Sequence, residues 1–277
     1  MRLLIFGLGY AAGVAADRLA AHGWRIAGTS RDGRAGTIAF ADADRLRFEI
    51  GQADAVLSSV PPADDADPVL DAYGDALAAR GCWLGYLSST GVYGDADGGW
   101  VDEGASLGGR RPARVAADRA WLARGARVLR LPGIYGPGRS PLDRLRAGTA
   151  HRVEGRAHVF SRVHVEDIAA GIVAALDGPA GAYNLADDLP ASQNDVVAYA
   201  ARLLGRAPPP RVPVESLSPM AQGFYAENRR VANGRAKRVL GWRPRYPDYR
   251  FGLRALNAMT SPASTSTAPA PASHDQR

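Results

Sequence analysis

Leu3-Leu4-Ile5-Phe6-Gly7-Leu8-Gly9-Tyr10-Ala11-Ala12-Gly13 lies at the start of the chain. An apolar run breaks off in Gly-x-Gly-x-x-Ala, and a helical spacing follows through Val14 and Leu19 to His22-Gly23. That order predicts a buried strand, a tight turn and a helix N-terminus. Gly7 permits the sharp bend. Gly9, beside Tyr10, lets phosphates approach the backbone, and the small Ala12 lets helix and strand pack closely. Gly7, Gly9, Tyr10 and Ala12 are therefore candidate contacts to a dinucleotide pyrophosphate. A secretory signal is not expected: the basic region is Arg2 alone, glycines interrupt the apolar run, and the helix continues through Asp17-Arg18-Leu19.

Trp24 to Thr29 reads as the second strand, followed by Ser30-Arg31. At this place a carboxylate selects the ribose hydroxyls of NAD, and an arginine accommodates the 2′-phosphate of NADP. Arg31, with Thr29 and Ser30 as neighbouring hydroxyls, favours NADP. Asp32 would take the NAD role if the strand ended one residue later, so NAD is the alternative.

Strand and helix then alternate, which argues a parallel sheet with helices on both faces. Asp54 to Val60 is a strand stopped by Pro61-Pro62, and a helix follows around Val69 to Arg80. Trp83 to Leu87 is a strand ending in Ser88-Ser89-Thr90. A helix spans about Val115 to Ala123, and Arg127 to Leu131 is a strand ended by Pro132-Gly133. Ligands of open parallel sheets sit beyond the strands' carboxyl ends. Ser58, Ser59, Ser88, Ser89, Thr90, Pro132 and Gly133 are expected to line the groove, with Ser59, Val60, Pro61, Ser88, Pro132, Gly133 and Ile134 on the cofactor. Val163 to Leu176 and Ala182 to Leu185 read as returns to the sheet.

The expected organisation is a Rossmann-type doubly wound α/β sheet, residues 1–135 with about 163–190. A small C-terminal substrate lobe, about 136–162 with 191–258, completes it. The Ser/Thr/Ala/Pro-rich stretch 261–277 is expected to be disordered.

At 277 residues the chain can bury one large core, or one core with a smaller appended lobe. No apolar stretch reaches membrane-spanning length. Cys82 is the sole cysteine, so no internal disulfide forms; this fits a cytoplasmic protein, and Cys82 itself reads as a buried core residue. The net charge of +6 comes from scattered Arg, with Lys237 the one lysine. Aromatics are not interleaved with the arginines, so a nucleic-acid partner is not expected. The five His are dispersed without ligand spacing, and no metal site is expected. Gly-x-Ser-x-Gly is absent.

Three segments share a further likeness. Tyr86-Leu87-Ser88-Ser89-Thr90-Gly91-Val92-Tyr93-Gly94 resembles the active-site strand of the extended short-chain dehydrogenase/reductases of the epimerase/dehydratase type. Arg130-Leu131-Pro132-Gly133-Ile134-Tyr135-Gly136-Pro137-Gly138 resembles that family's nicotinamide-side loop, and Val163-His164-Val165-Glu166-Asp167-Ile168-Ala169 its late strand-to-helix element. Arg229 to Asn233 and Leu240-Gly241-Trp242-Arg243-Pro244 match the usual end of the fold. The resemblance runs over about residues 1 to 255 and is nearest to the atypical, YeeZ-like branch. It implies an NAD(P)-dependent oxidoreductase or epimerase/dehydratase acting on a small polar carbonyl, hydroxyl or sugar-nucleotide substrate. It also implies that Ser89, with Thr90 beside it, orients the substrate oxygen.

The family's Tyr-x-x-x-Lys pair is missing. Arg110-Arg111-Pro112-Ala113-Arg114-Val115-Ala116-Ala117-Asp118 stands in its place, and the registers put Arg110 and Arg114, or Arg114 and Asp118, at the two positions. Arginine does not donate a proton near neutral pH. Arg114 is left as a candidate for ribose or phosphate, and Arg110 for an anionic substrate or a polarised carbonyl. Tyr93, Tyr135, Tyr225 and His164 are substitute acids to be weighed against structural roles, and Asp102 and Glu103 are nearby carboxylates. A catalytically inactive NADP-binding sensor or scaffold is the alternative reading. Helices beside the active-site strands often form dimer faces in this family, which leaves a homodimer open.

Overall fold

Strand β1 (Arg2–Phe6) is buried from Leu3 onward, as an apolar run in a sheet covered on both faces requires. It pairs in parallel with β2 (Arg25–Ser30), which in turn pairs with β3 (Ile38–Ala39). On its other side come β4 (Ala55–Ser58), β5 (Trp83–Ser89), β6 (Arg127–Leu131) and β7 (Gly181–Asn184). The order β3-β2-β1-β4-β5-β6-β7, all parallel, defines a Rossmann-type doubly wound sheet. Its direction of growth reverses between β1 and β4, which places a crevice at their carboxyl ends. This computed structural model describes residues 1–63, 66–155 and 158–260; the expected disordered stretch 261–277 lies outside them.

The helices of the main sheet are α1 (Tyr10–Ala21), α2 (Ala43–Gln52), α3 (Pro68–Arg80), α4 (Pro112–Ala123) and α6 (Val165–Leu176). Successive residues of β1 point to opposite faces, so Leu3 and Ile5 pack with α1 and α6, and Leu4 and Phe6 with α2, α3 and α4. Trp121 of α4 stacks on Tyr86 of β5 with centroids 5.4 Å apart, and its indole N–H donates to Asp67 at 2.8 Å. Asp67 also caps α3 through the N–H groups of Val69 and Leu70.

A smaller core gathers Tyr135, Leu142, Leu145, Val196, Val197, Ala200, Leu253 and Leu256. It draws on α5 (Pro141–Arg146), α7 (Gln193–Leu203) and α10 (Tyr249–Thr260); α8 (Pro219–Tyr225) lies between the last two in the chain. Helix α9 (Gly234–Val239) and the segment after it behave differently: Ala236 and Trp242 pack into the main-sheet core.

Several expectations change. Residues Val163 to Leu176 do not rejoin the main sheet: Arg162–His164 pairs in parallel with Gly133–Tyr135 as a separate ladder, and α6 begins at Val165. The segment 181–184 does rejoin it, as β7. Helix α4 starts at Pro112, earlier than expected, because proline at the first turn has no N–H to leave unsatisfied. Helix α2 is not anticipated by the strand-and-turn pattern. Its signals are the Asp42 cap, accepting from the Arg45 N–H, and the pair Leu46 and Ile50 one turn apart. Cys82 is half-buried rather than fully in the core.

Candidate active site

The glycine turn is held from behind. Gly7 adopts φ +78°, a left-handed conformation that favours glycine. Its N–H donates to Thr29 Oγ1 at 3.0 Å, and the Leu8 N–H donates to the Thr29 carbonyl at 2.8 Å. Ser59 closes the other side: its N–H donates to the Phe6 carbonyl at 2.8 Å, and its hydroxyl donates to the Gly7 carbonyl. The end of β1 is thus fastened to β2 and β4 at once.

The front of the turn is open. Gly9 caps α1 without any side-chain bond, so the first N–H groups of the helix, from Tyr10 to Ala12, have no partner from a cap. A Cβ on Gly9 would meet nothing nearer than the Gly7 carbonyl oxygen at 3.9 Å, whereas one on Gly7 would lie 3.0 Å from Val60 Cγ2. The space before Gly9 fits a pyrophosphate, with orphan N–H donors and the positive end of a helix facing it.

At the end of β2, two of the expected phosphate donors are engaged elsewhere. Thr29 is buried and holds the glycine turn. Ser30 donates to Asp32 at 3.1 Å and accepts from the Gly33 N–H, the Arg34 N–H and the Thr37 hydroxyl. Its hydroxyl shapes the following loop. The Ser30 hydrogen bond holds the Asp32 carboxyl below its usual range. Arg31 is exposed, and its side chain makes no hydrogen bond or ion pair with the described residues. Asp32 is bonded to Ser30, and Arg31, Asp32 and Arg34 are all exposed after the end of β2.

Beyond β4, Ser58 is fully buried with no partner for its hydroxyl, so it does not line the groove as expected. Ser59 and Val60 are half-buried, and Pro61 is exposed. Beyond β6, Gly133 is exposed, and Pro132 and Ile134 are half-buried.

The end of β5 is crowded with internal bonds. Ser88 is buried and donates to Asp118 Oδ2 at 2.7 Å. Asp118, wholly buried on α4, forms a two-pronged pair with Arg130 at 2.7 and 3.0 Å. Arg130 also donates to the Tyr93 hydroxyl at 3.0 Å, and Tyr93 donates to Asn184 Oδ1 at 2.7 Å. This network joins β5, β6, β7 and α4. Ser88 therefore serves the scaffold, and its expected place on the cofactor is not visible in its side-chain bonds. Ser89 accepts from the Gly91 N–H at 3.1 Å, which leaves its own O–H free to donate. Thr90 is buried with no side-chain bond to the described residues.

The arginine-rich stretch that begins at Arg110 follows a glycine packed against this strand end. The Gly109 N–H donates to the Val92 carbonyl at 2.9 Å, and a Cβ there would overlap the Gly91 carbonyl. The next residue, Arg110, turns away to α8: its Nε donates to Glu227 Oε1 at 2.8 Å, and it donates to the Gly223 carbonyl. Glu227 also pairs with Arg229 at 2.6 Å. Arg110 is thus latched to the segment after α8. Arg114 is half-buried and makes no ion pair with the described residues.

The substitute acids do not converge on the groove. The Tyr93 hydroxyl is engaged by Arg130 and Asn184, and burial raises it. Burial also raises Tyr135, whose hydroxyl has no partner. His164 is buried, caps α6 by accepting from the Glu166 N–H at 3.2 Å, and is pushed down to about 4 by burial and then by Arg245. Tyr225 packs against His158 and Phe160 in the lobe. Glu103 accepts from the Asn184 N–H at 2.7 Å, and Asp102 from the Gly104 N–H at 2.9 Å. Among the described residues no cluster could hold a metal ion, and no helix is long and apolar enough to cross a membrane.

A Rossmann-type sheet with an open glycine turn, a serine-rich strand end and an appended lobe defines a protein of the short-chain dehydrogenase/reductase-like class. The chain is 30% identical to protein YeeZ of Escherichia coli over 277 residues, covering 89% of this chain and 97% of that one. It belongs to the YeeZ family. It is also 35% identical to a 3-diazoavenalumate denitrifying reductase from Streptomyces, over 58% of this chain and 56% of that one. Among solved structures it is similar to a functionally unknown conserved protein from Silicibacter pomeroyi DSS, with a TM-score of 0.85 and 43% identity over 93% and 98% of the chains. Human epimerase family protein SDR39U1, solved with NADPH, shares the fold at a TM-score of 0.75 and 17% identity, over 93% and 99% of the chains. No protein-family model matches.

Proposed function

We propose that this protein binds a nicotinamide dinucleotide, NADP in preference to NAD, across the crevice between β1 and β4. It exchanges hydride with a small polar carbonyl or hydroxyl compound, a sugar nucleotide included. The observation that carries the reading is the open space before Gly9, faced by the orphan N–H groups of α1. Support comes from the NADPH in the human structure and from the reductase name of the Streptomyces relative. The dinucleotide supplies or accepts the hydride; this chain's residues hold it. Tyr10 and Ala12 would face the pyrophosphate with their N–H groups, Arg31 the 2′-phosphate, and Pro132 to Ile134 the nicotinamide side. Ser89, with its free O–H, would orient the substrate oxygen, and Arg114 the ribose.

The test is a titration of wild type and Arg31→Ala with NADPH and NADH. Wild type should bind NADPH at least ten-fold more tightly, about 1.4 kcal/mol, and Arg31→Ala should erase the difference. Equal affinities in the wild type would leave the NADP reading without support.

A second reading, a catalytically inactive NADP-binding sensor or scaffold, is favoured by one observation. Arg110, at one register of the missing tyrosine, is latched to Glu227. The double variant Arg110→Tyr with Arg114→Lys separates the two. Reductase activity gained from an inactive wild type supports a degenerated site, and activity present in wild type removes this reading.

A further inference from the structure

We propose that Arg139 is a second anion-binding residue of the dinucleotide site, placed across the first turn of α1 to grip the pyrophosphate. The inference rests on the cofactor reading above and extends it to a residue that the glycine-turn pattern does not contain.

The loop carrying Arg139 is tightly fixed. The Gly136 N–H donates to the Arg139 carbonyl at 3.3 Å, and the Arg139 N–H returns to the Gly136 carbonyl at 3.1 Å. Gly138, at φ +68°, makes the bend between them. On the far side, Ser140 and Asp143 form a reciprocal capping box that starts α5. The loop is also tied to the glycine turn. The Tyr10 hydroxyl donates to the Pro137 carbonyl at 3.0 Å, and a Cβ on Gly136 would lie 2.5 Å from that hydroxyl. Glycine at 136 is what allows the approach.

The Arg139 guanidinium lies 5.8 Å from the centre of the Tyr10 ring. Tyr10 is the first residue of α1 and contributes one of the orphan N–H groups. The two acids near Tyr10 are both engaged. Glu166 pairs with Arg18 at 2.7 Å, and Asp143 accepts from the Ser140 N–H and hydroxyl at 2.8 and 2.7 Å and lies 3.8 Å from Arg146. Arg139 itself is exposed and forms no side-chain hydrogen bond or ion pair with the described residues. A free cation on a rigid loop, tied by backbone and ring to the mouth of an anion-binding helix, fits a diphosphate. The diphosphate could belong to the dinucleotide or to a sugar-nucleotide substrate. The contact to Tyr10 of the glycine turn favours the dinucleotide.

The experiment titrates wild type, Arg139→Ala and Arg139→Lys with NADPH and with NADH, and then titrates the NADPH-loaded proteins with UDP-glucose. Thermal melting checks that the exposed substitutions leave the fold intact. Arg139→Ala should weaken NADPH and NADH by the same factor, ten-fold or more, because the pyrophosphate is common to both. Arg139→Lys should recover part of the loss, keeping the charge without the fork. This signature differs from that of Arg31→Ala, which should touch NADPH alone. Affinities within two-fold of wild type would overturn the proposal. So would a loss confined to NADPH, or one confined to UDP-glucose. If wild type takes up neither dinucleotide, the cofactor reading fails first and this inference falls with it.

Discussion

The carboxyl ends of β1 and β5 face the same crevice and are built in opposite ways. At β1 the polar side chains stand behind the turn. Thr29 and Ser59 hold its backbone, while the front offers bare N–H groups and empty space at Gly9. At β5 the polar side chains are tied to one another. Ser88 goes to Asp118, Asp118 to Arg130, Arg130 to Tyr93, and Tyr93 to Asn184. Arg110, beside them, is drawn off to Glu227. One end leaves its main-chain N–H groups open in front. The other is a wall of side chains bonded to one another, in which the Ser89 O–H is left free to donate.

The largest effect expected lies in the wall. Arg130→Met leaves the Asp118 carboxylate buried without its cation, which should cost about 3–5 kcal/mol, measured by urea unfolding. A loss below about 1 kcal/mol would mean that the network is not what fixes the β5 end.

Next comes the glycine turn itself. Gly7→Ala forces a side chain into a left-handed φ and against Val60, and should lose roughly 1–3 kcal/mol in the same assay. A neutral substitution would break the claim that the turn is held from behind.

A third effect is in pH dependence. Asp187 is buried, and burial pushes it up to about 8, partly offset by Arg162 and then by the Leu189 N–H. The folded chain keeps a proton there that the unfolded chain releases, so stability falls as pH rises from 3.8 towards 8. His164 works the other way. Held near 4 against an ordinary 6.5, it adds stability that is lost as pH falls through that window. The two slopes oppose below 6.5, and of this pair Asp187 alone titrates from 6.5 to 8. Melting temperature should therefore decline across that upper range, and Asp187→Asn should flatten the decline. An unchanged slope in the variant would place the titration elsewhere.

The smallest effect belongs to the latch. The Arg110 side chain is half exposed and Glu227 keeps Arg229 as a partner, so Arg110→Gln should cost no more than about 1 kcal/mol. A larger loss in unfolding experiments would make the latch a structural part of the wall.

The glycine turn is legible in the sequence because its requirements are local: an apolar strand, a left-handed glycine and a small residue within one helical turn. The parallel sheet with helices on both faces follows from the alternation of strands and helices. Helix α2 is hidden because Leu46 and Ile50 are its buried residues, set among Asp and Arg. The roles of Ser88 and Ser89 look alike in sequence, and Asp118, on a different element, separates them. Arg110 and Glu227 lie 117 positions apart, so no local pattern joins them. Arg139 escapes the reading for the same reason: its link to Tyr10 spans two elements.

Gly9→Ala tests the central contrast most directly. In the protein alone, a methyl group at position 9 meets only ordinary space, and the backbone at φ −99° accepts alanine. The melting temperature should stay at the wild-type value while NADPH affinity, measured by calorimetry, falls at least ten-fold. Undiminished binding in a normally folded Gly9→Ala protein would contradict the account, since the space before Gly9 would not be where the dinucleotide sits.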